Sequence, residues 1–246
     1  MKKQILNIGM VAALFSLAAF THADTNPFKS ADFDFEGDEL LSLVPQDKVA
    51  AKGNVLYCRA DINTEGNAER GSCFAKDTAV ELVVQTEQAL KQLAFSPAEI
   101  EGSVVPVRMS FRIAYTPLAS GMHVSLIPNL GTMQAQHGRD YVAPQERLDV
   151  SDWYQRYSEN SYVGGREFLG QGDMARVATT VSPAGKPTTL KTVDAKKAHI
   201  RDADIVKRTL RYSRFIPGTV NGKVVPMEYL VAVHYGNPTE AYADAK

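Results

Sequence analysis

Cys58 and Cys73 are the only cysteines in this chain of 246 residues, and the chemistry that two cysteines allow is oxidation to one disulfide. They lie on either side of residues 63–67, Asn-Thr-Glu-Gly-Asn, a composition typical of a turn. A β-hairpin centred on Glu65 and Gly66 places the two cysteines directly opposite each other. We therefore predict a disulfide across a hairpin. We expect it to be structural, because the Cys-x-x-Cys spacing of many redox centres is absent.

Catalytic motifs are the next place to look for chemistry. The chain contains no H-E-x-x-H, G-x-S-x-G or phosphate-binding loop. Residues 165–172 begin like a phosphate-binding loop, but Gln171 and Gly172 stand where a lysine and a hydroxyl residue are required. We expect no catalytic residues, no metal site and no cofactor, and hence no enzymatic activity.

Composition and charge limit the class of protein. Hydrophobic residues make up 44% of the chain and charged residues 22%, which is typical of a globular protein. The 27 basic and 28 acidic residues give a net charge of -1. Without a basic excess, we expect no nucleic-acid partner.

The N-terminus has the layout of a secretory signal peptide. Lys2 and Lys3 precede an apolar run of 13 residues, 8–20, and Ala23 offers a small residue at a cleavage site. The run is shorter than the roughly 20 residues of a spanning helix. We predict a signal peptide at 1–23 and a periplasmic protein whose membrane contact is at most peripheral. An uncleaved membrane anchor is the alternative.

A repeat organises the rest of the chain. Residues 95–115 and 215–235 align without a gap at an offset of 120. Upstream, Cys58 falls on Val177 and Gly66 on Gly185 at an offset of 119. The identical pairs of the longer match are Phe95/Phe215, Pro97/Pro217, Gly102/Gly222, Val104/Val224, Val105/Val225, Pro106/Pro226 and Tyr115/Tyr235.

Each copy has the pattern strand, strand, helix, strand. The fold class predicted is therefore α+β, with two tandem small units, each a three-stranded antiparallel sheet packed on one helix. The first unit covers 46–117 and the second 151–236. Residues 24–45 are a leader segment, 118–150 an ordered but irregular linker, and 237–246 a loose tail; residues 24–36 also look loose.

The last strand of each unit shows alternation. From Val105 to Tyr115, apolar residues occupy one face, whereas Arg108, Ser110 and Arg112 occupy the other. This pattern predicts a strand with one buried face. The corresponding apolar positions of the second unit are Val225, Met227, Tyr229, Val231, Val233 and Tyr235.

These motifs resemble the TonB C-terminal domain. The resemblance is carried by C-R-A-D-I-N-T-E-G…C, a following helix, and F-S-P-A-E-I-E-G-S-V-V-P; the second unit, with F-I-P-G-T-V-N-G-K-V-V-P, is similar to a degenerate copy. It covers about residues 46–115 and 165–236. The resemblance implies a periplasmic module, accessory to envelope transport, that grips a peptide of an outer-membrane transporter or transport-complex component by adding it as a strand to a sheet edge.

The gripping strand implied by the resemblance is 104–115 or 224–235. Its candidate residues are Val224, Val225, Met227, Tyr229, Val231, Val233, Arg108, Ser110 and Arg112.

Several alternatives stay open. The chain lacks the Pro- and Lys-rich spacer of a full transducer, so proton-motive force transmission does not follow from the resemblance. The two units could pair or pack their edges against each other, leaving no peptide site. A small-ligand or enzymatic site could lie between the units, around Trp153, Tyr154 and Tyr157. A purely structural role in the envelope is the third class.

Overall fold

The computed structural model describes residues 26–75, 78–150, 161–162, 175–194 and 200–235. The predicted signal peptide, residues 165–172, the aromatic residues Trp153, Tyr154 and Tyr157, and the tail lie outside these ranges. The helices span Gly37–Ser42 (α1), Val80–Leu90 (α2), Gln134–His137 (α3) and Ile200–Leu210 (α4), and a 3-10 helix spans Gln46–Lys48. The strands span Phe28–Lys29 (β1), Asp32–Phe33 (β2), Asn54–Ile62 (β3), Ala68–Phe74 (β4), Phe95–Ser96 (β5), Ala98–Ile100 (β6), Ser103–Val105 (β7), Val107–Leu118 (β8), Gly121–Ile127 (β9), Tyr141–Val142 (β10), Gln145–Arg147 (β11), Ser161–Tyr162 (β12), Ala175–Val181 (β13), Pro187–Asp194 (β14), Phe215–Ile216 (β15), Thr219–Val220 (β16), Lys223–Val224 (β17) and Met227–Tyr235 (β18).

The predicted α+β class is confirmed, and the sheets are built from antiparallel pairs. A six-stranded first sheet has the order β15-β11-β8-β3-β4, with β9 also paired to β8. A four-stranded second sheet has the order β12-β18-β13-β14. Within the described part of the chain, no helix has the length and apolar character needed to cross a membrane.

In the first sheet β3 pairs with β4 on one side and with β8, the middle strand, on the other. Helix α2 packs against β4, and its buried residues Leu82, Thr86, Ala89 and Leu90 recur at helical spacing. The helix ends before residues 95–97, Phe-Ser-Pro, because proline disfavours helical geometry in the residue that precedes it. The alternating residues of β8 from Val107 to Tyr115 are buried, as predicted.

The predicted disulfide is confirmed. Cys58 lies directly opposite Cys73 in the β3–β4 pairing, and the two residues are bonded. The turn between the strands depends on Gly66, whose φ is 82°. A Cβ atom at this position would lie 2.1 Å from the carbonyl oxygen of Phe95, so only glycine fits.

The second sheet is built around a hairpin and a helix. The hairpin β13–β14 is followed by α4 and then by β18, which pairs with β13. Helix α4 packs on this sheet through a separate apolar cluster that includes Ala203, Val206 and Leu210. Gly185 repeats the close approach of Gly66: a Cβ atom there would lie 2.2 Å from the carbonyl oxygen of Phe215.

The segments expected to be loose or irregular contain paired strands, and those two expectations were wrong. In the leader, β1 pairs with β6 and β2 with β5. In the linker, β9 forms a hairpin with β8, β10 pairs with β16, and β11 lies between β8 and β15. Most of these strands have only two or three residues, which is too short for a period of two to be visible in the sequence.

The expectation that β8 has one buried face was also wrong. Arg108 and Ser110, which alternate with the core residues, are 3% and 5% exposed. Their polar partners are Asp61 and Arg59 of β3 and Glu146 of β11 in the linker, and all three of these residues are themselves buried. Alternation marks these residues as polar, but it does not show that another element covers them.

Candidate functional site: the sheet edges

The first predicted gripping strand, β8, is paired along both of its edges. On one side β3 pairs with residues 107–115. On the other side β9 pairs with residues 112–118 and β11 with residues 107 and 108, which leaves only residues 109–111 of that edge without a neighbouring strand. A peptide could add to this edge only by displacing the linker.

The polar residues of β8 are engaged in contacts within the protein. Arg108 donates from Nε and Nη2 to the two carboxylate oxygens of Asp61, at 2.7 and 2.9 Å. Ser110 Oγ accepts a hydrogen bond from Arg59 Nε at 3.4 Å. Arg112 donates to the carbonyl and side-chain oxygens of Asn129, at 3.0 and 2.9 Å. Burial lowers the pKa of the Arg112 guanidinium.

The second predicted gripping strand, β18, has a partly covered outer edge. Its inner edge pairs with β13, and at the far end residues 234 and 235 pair with β12. Along the rest of the outer edge, the amide of Glu228 donates to Met133 Sδ at 3.2 Å. The carbonyl of Leu230 accepts from Arg59 Nη2 at 3.0 Å. Side chains of the linker and of β3 therefore pair with main-chain groups of this edge that a peptide would otherwise use.

A charged cluster is buried beneath this contact. Arg59, Asp61, Arg108 and Glu146 are each less than 7% exposed, and they provide two positive and two negative side chains. The free-energy cost of burying these charges is offset because each lies near a charge of opposite sign. Besides the Arg108–Asp61 pair, Arg108 Nη1 lies 3.8 Å from Glu146 Oε2. Burial raises the cost of charging Arg59, so the pKa of its guanidinium is lowered.

Glu146 ties the cluster to the second half of the chain. One of its carboxylate oxygens accepts from Ser213 Oγ at 2.9 Å, and the other accepts from the hydroxyl of Tyr229 at 3.2 Å. Burial and the neighbouring Glu146 carboxylate raise the pKa of the Tyr229 phenol above its ordinary value. The Arg59 guanidinium lies 5.9 Å from the centre of the Tyr229 ring, within cation–π range. The cluster thus joins the two sheets at the face of β8.

The remaining candidate residues have different positions. Val224 ends β17, which pairs with β16, and Val225 follows it. Met227, Tyr229 and Val231 are buried on the core side of β18, at most 4% exposed. Val233 lies opposite Ala175 in the β13 register. A peptide on β18 would therefore meet the main chain of this strand rather than these side chains.

The outer edge of β4 is capped by its own helix. Cys58 and Cys73 have Cα atoms 4.1 Å apart, the short spacing of a non-hydrogen-bonded pair, so the Cys73 amide points away from β3. It donates to Glu87 Oε1 of α2 at 2.7 Å. The carboxylate occupies the place that the carbonyl of an added strand would take.

The outer edge of β14 differs. No strand of the described residues pairs with it, and Thr188, Thr189, Lys191, Thr192 and Val193 are exposed. Between this strand and α4 lies a groove of about 410 Å³. Its lining consists of Leu190, Asp204, Lys207, Arg208 and Arg211. Sequence reasoning missed this edge, although the offset of 120 already places Lys207 where α2 has Glu87.

No family model matches the chain, and no curated protein or solved structure shows significant similarity to it. Among the described residues, no group of three or more His, Cys, Asp or Glu side chains is arranged to hold a metal ion.

Proposed function

We propose that this chain is an exported, periplasmic binding module, similar to TonB C-terminal domains and accessory to envelope transport. It holds a partner polypeptide by strand addition. The disulfide supports an oxidising compartment, because such bonds persist outside the cytosol. The partner is an extended segment of an envelope protein, such as an outer-membrane transporter or a transport-complex component.

We further propose that the two halves are tandem copies of one strand-strand-helix-strand unit. The pair Val177–Thr192 repeats the pairing of Cys58 with Cys73. The amide of Phe95 donates to the carbonyl of Gly66, and the amide of Phe215 donates to the carbonyl of Gly185. The short leader and linker strands repeat too, since β2 pairs with β5 as β11 pairs with β15.

The observation that carries the binding proposal is the exposed outer edge of β14. An edge strand presents main-chain donors and acceptors that an extended peptide can pair with. The outer edges of β8 and β18 are occupied by β9, β11, Arg59 and Met133, whereas β14 faces a groove. We therefore place strand addition at β14 rather than at the strands suggested by the family resemblance.

Site-specific photo-crosslinking in cells of the source organism tests this proposal. A photoreactive amino acid at Val193, which is 52% exposed on β14, should capture an envelope protein. The matched control position is Glu69, which is exposed on the capped strand β4 and should give no such product. Equal products at both positions, or none at Val193, would contradict binding at this edge.

A further inference from the structure

We infer that the β14 edge takes an acidic extended segment, with carboxylates at alternate positions, and not a neutral or basic one. This inference rests on the proposed function and specifies the partner's chemistry. It comes from a difference between α2 and α4, two helices of the same length and position in their sheets, together with the groove beside α4.

The two helices have the same length, and their buried positions match at an offset of 120. Thr86 and Leu90 of α2 correspond to Val206 and Leu210 of α4, and all four are buried. On the side facing the edge strand, Glu87 corresponds to Lys207. A lysine ammonium has no acceptor, so it cannot cap a main-chain amide as Glu87 caps Cys73. The carboxylate that fills this place in the first half is therefore missing from the second.

The side chains around the groove give it a net positive charge. Lys207, Arg208 and Arg211 contribute three positive charges, and Asp204 contributes one negative charge. Asp204 Oδ1 accepts from Lys207 Nζ at 2.9 Å, which lowers the pKa of the Asp204 carboxyl. The excess of two positive charges, next to Leu190, suits a segment that carries acidic side chains on the face toward α4.

The spacing of the basic residues agrees with a strand. Lys207 lies on α4 and Arg211 directly follows its last residue, so the helical rise of 1.5 Å per residue separates them by about 6 Å along the helix axis. Side chains on one face of a strand recur every second residue, about 6.6 Å apart. A peptide paired with β14 can therefore place one carboxylate near Lys207 and the next near Arg211.

Fluorescence anisotropy with defined peptides tests the inference on the full mature chain. The probes are three labelled ten-residue peptides in which threonine alternates with glutamate, glutamine or lysine. We expect the glutamate peptide to bind about threefold to tenfold more tightly than the glutamine peptide, the effect of two exposed ion pairs. The lysine peptide should bind more weakly than either.

Charge-reversed variants supply the matched comparison. In Lys207→Glu/Arg211→Glu the preference for glutamate over glutamine should disappear or invert. The control is Lys52→Glu/Lys91→Glu, which changes the net charge equally; exposed Lys91 follows α2 as Arg211 follows α4, and Lys52 is exposed before β3. This control should keep the preference, and circular dichroism should show that both variants are folded.

The outcomes separate the inference from the proposed function. Equal binding of the glutamate and glutamine peptides would overturn the inference and leave strand addition standing. Undiminished binding of a glutamate peptide with N-methylated central amides would overturn strand addition, since those amides cannot donate to a sheet. Binding of no peptide would overturn both. If the chain instead dimerises and the charge-reversed variant is monomeric, the occupant is a second copy, which also overturns the inference.

Discussion

Arg59, on strand β3 of the first sheet, donates a hydrogen bond to the main-chain carbonyl of Leu230 on the second sheet, at 3.0 Å. This contact crosses between strands 171 positions apart in the chain. It satisfies an edge carbonyl that would otherwise be available to a peptide. The side chain that makes it is buried and positively charged, and it balances the carboxylates of Asp61 and Glu146.

Replacing this side chain should weaken the whole fold. In Arg59→Met the Leu230 carbonyl loses its donor and the buried carboxylates lose one of two neighbouring cations. We expect the free energy of unfolding to fall by at least about 2 kcal/mol. Urea denaturation measures this, and Lys52→Met, which removes an exposed positive charge, should unfold within about 0.5 kcal/mol of the wild type. An unchanged midpoint for Arg59→Met would show that the contact contributes little.

The two hairpin glycines should respond alike if the halves are copies of one unit. Gly66→Ala and Gly185→Ala each force a Cβ atom onto a carbonyl oxygen at a positive φ. Each should lower the free energy of unfolding by about 2 kcal/mol or more. Gly71→Ala is the control, since no atom lies within 4 Å of its Cβ position. A tolerated alanine at only one of the two turns would argue against equivalence.

The disulfide should stabilise the protein without being needed for the hairpin. Cys58→Val/Cys73→Thr gives the first hairpin the residues that the second has at Val177 and Thr192. Because the bond closes a loop over a sequence separation of 15, its loss should cost about 3 kcal/mol. Denaturation of the wild type with and without a reductant measures the same difference. The double variant should be insensitive to reductant, and a variant that fails to fold would contradict this prediction.

Tyr115 should make stability fall in alkaline solution. Burial raises the pKa of its phenol to about 12, from 10.0. Thr86 donates its own proton to the Leu82 carbonyl, so its oxygen accepts from Tyr115. The folded protein holds this proton more tightly than the unfolded chain, so the contribution is intact below pH 10.0 and is lost as the pH rises toward about 12.

Between pH 9 and pH 11 the wild type should lose about 1.3 kcal/mol more stability than Tyr115→Phe, which keeps the loss that comes from Tyr229. Tyr212→Phe, at a position 64% exposed, should keep the wild-type dependence. Parallel pH profiles for the wild type and Tyr115→Phe would contradict the assignment.

Local patterns in the sequence were enough for several of the longer elements. The turn at Gly66 together with the cysteine positions fixed the register of the β3–β4 hairpin. The stripe of Leu82, Thr86 and Leu90 located α2. Longer elements can be predicted because each repeats its hydrophobic period several times within its own length.

Contacts between distant segments could not be predicted in this way. From its local pattern Arg108 is predicted to face solvent. Its partners Asp61 and Glu146 lie on other strands, and the sequence around Arg108 does not indicate them. The pairing of β11 with both β8 and β15 involves three residues, too few for a pattern. That β14 has an exposed edge could not be predicted, because it depends on how a helix lies against a strand. The alignment at an offset of 120 does show, however, that Lys207 stands where α2 has Glu87.

The position of β11 has a consequence for how the protein can be dissected. Its residue Glu146 is hydrogen-bonded in register with Arg108 on one side and lies opposite Phe215 on the other. Neither half can therefore be expressed alone without losing a neighbouring strand. A truncation within residues 118–150 separates β11 from β8 or from β15, or removes part of it. We expect the intact chain to melt in one transition, and a protease cut between β9 and β10 to yield two fragments that co-purify.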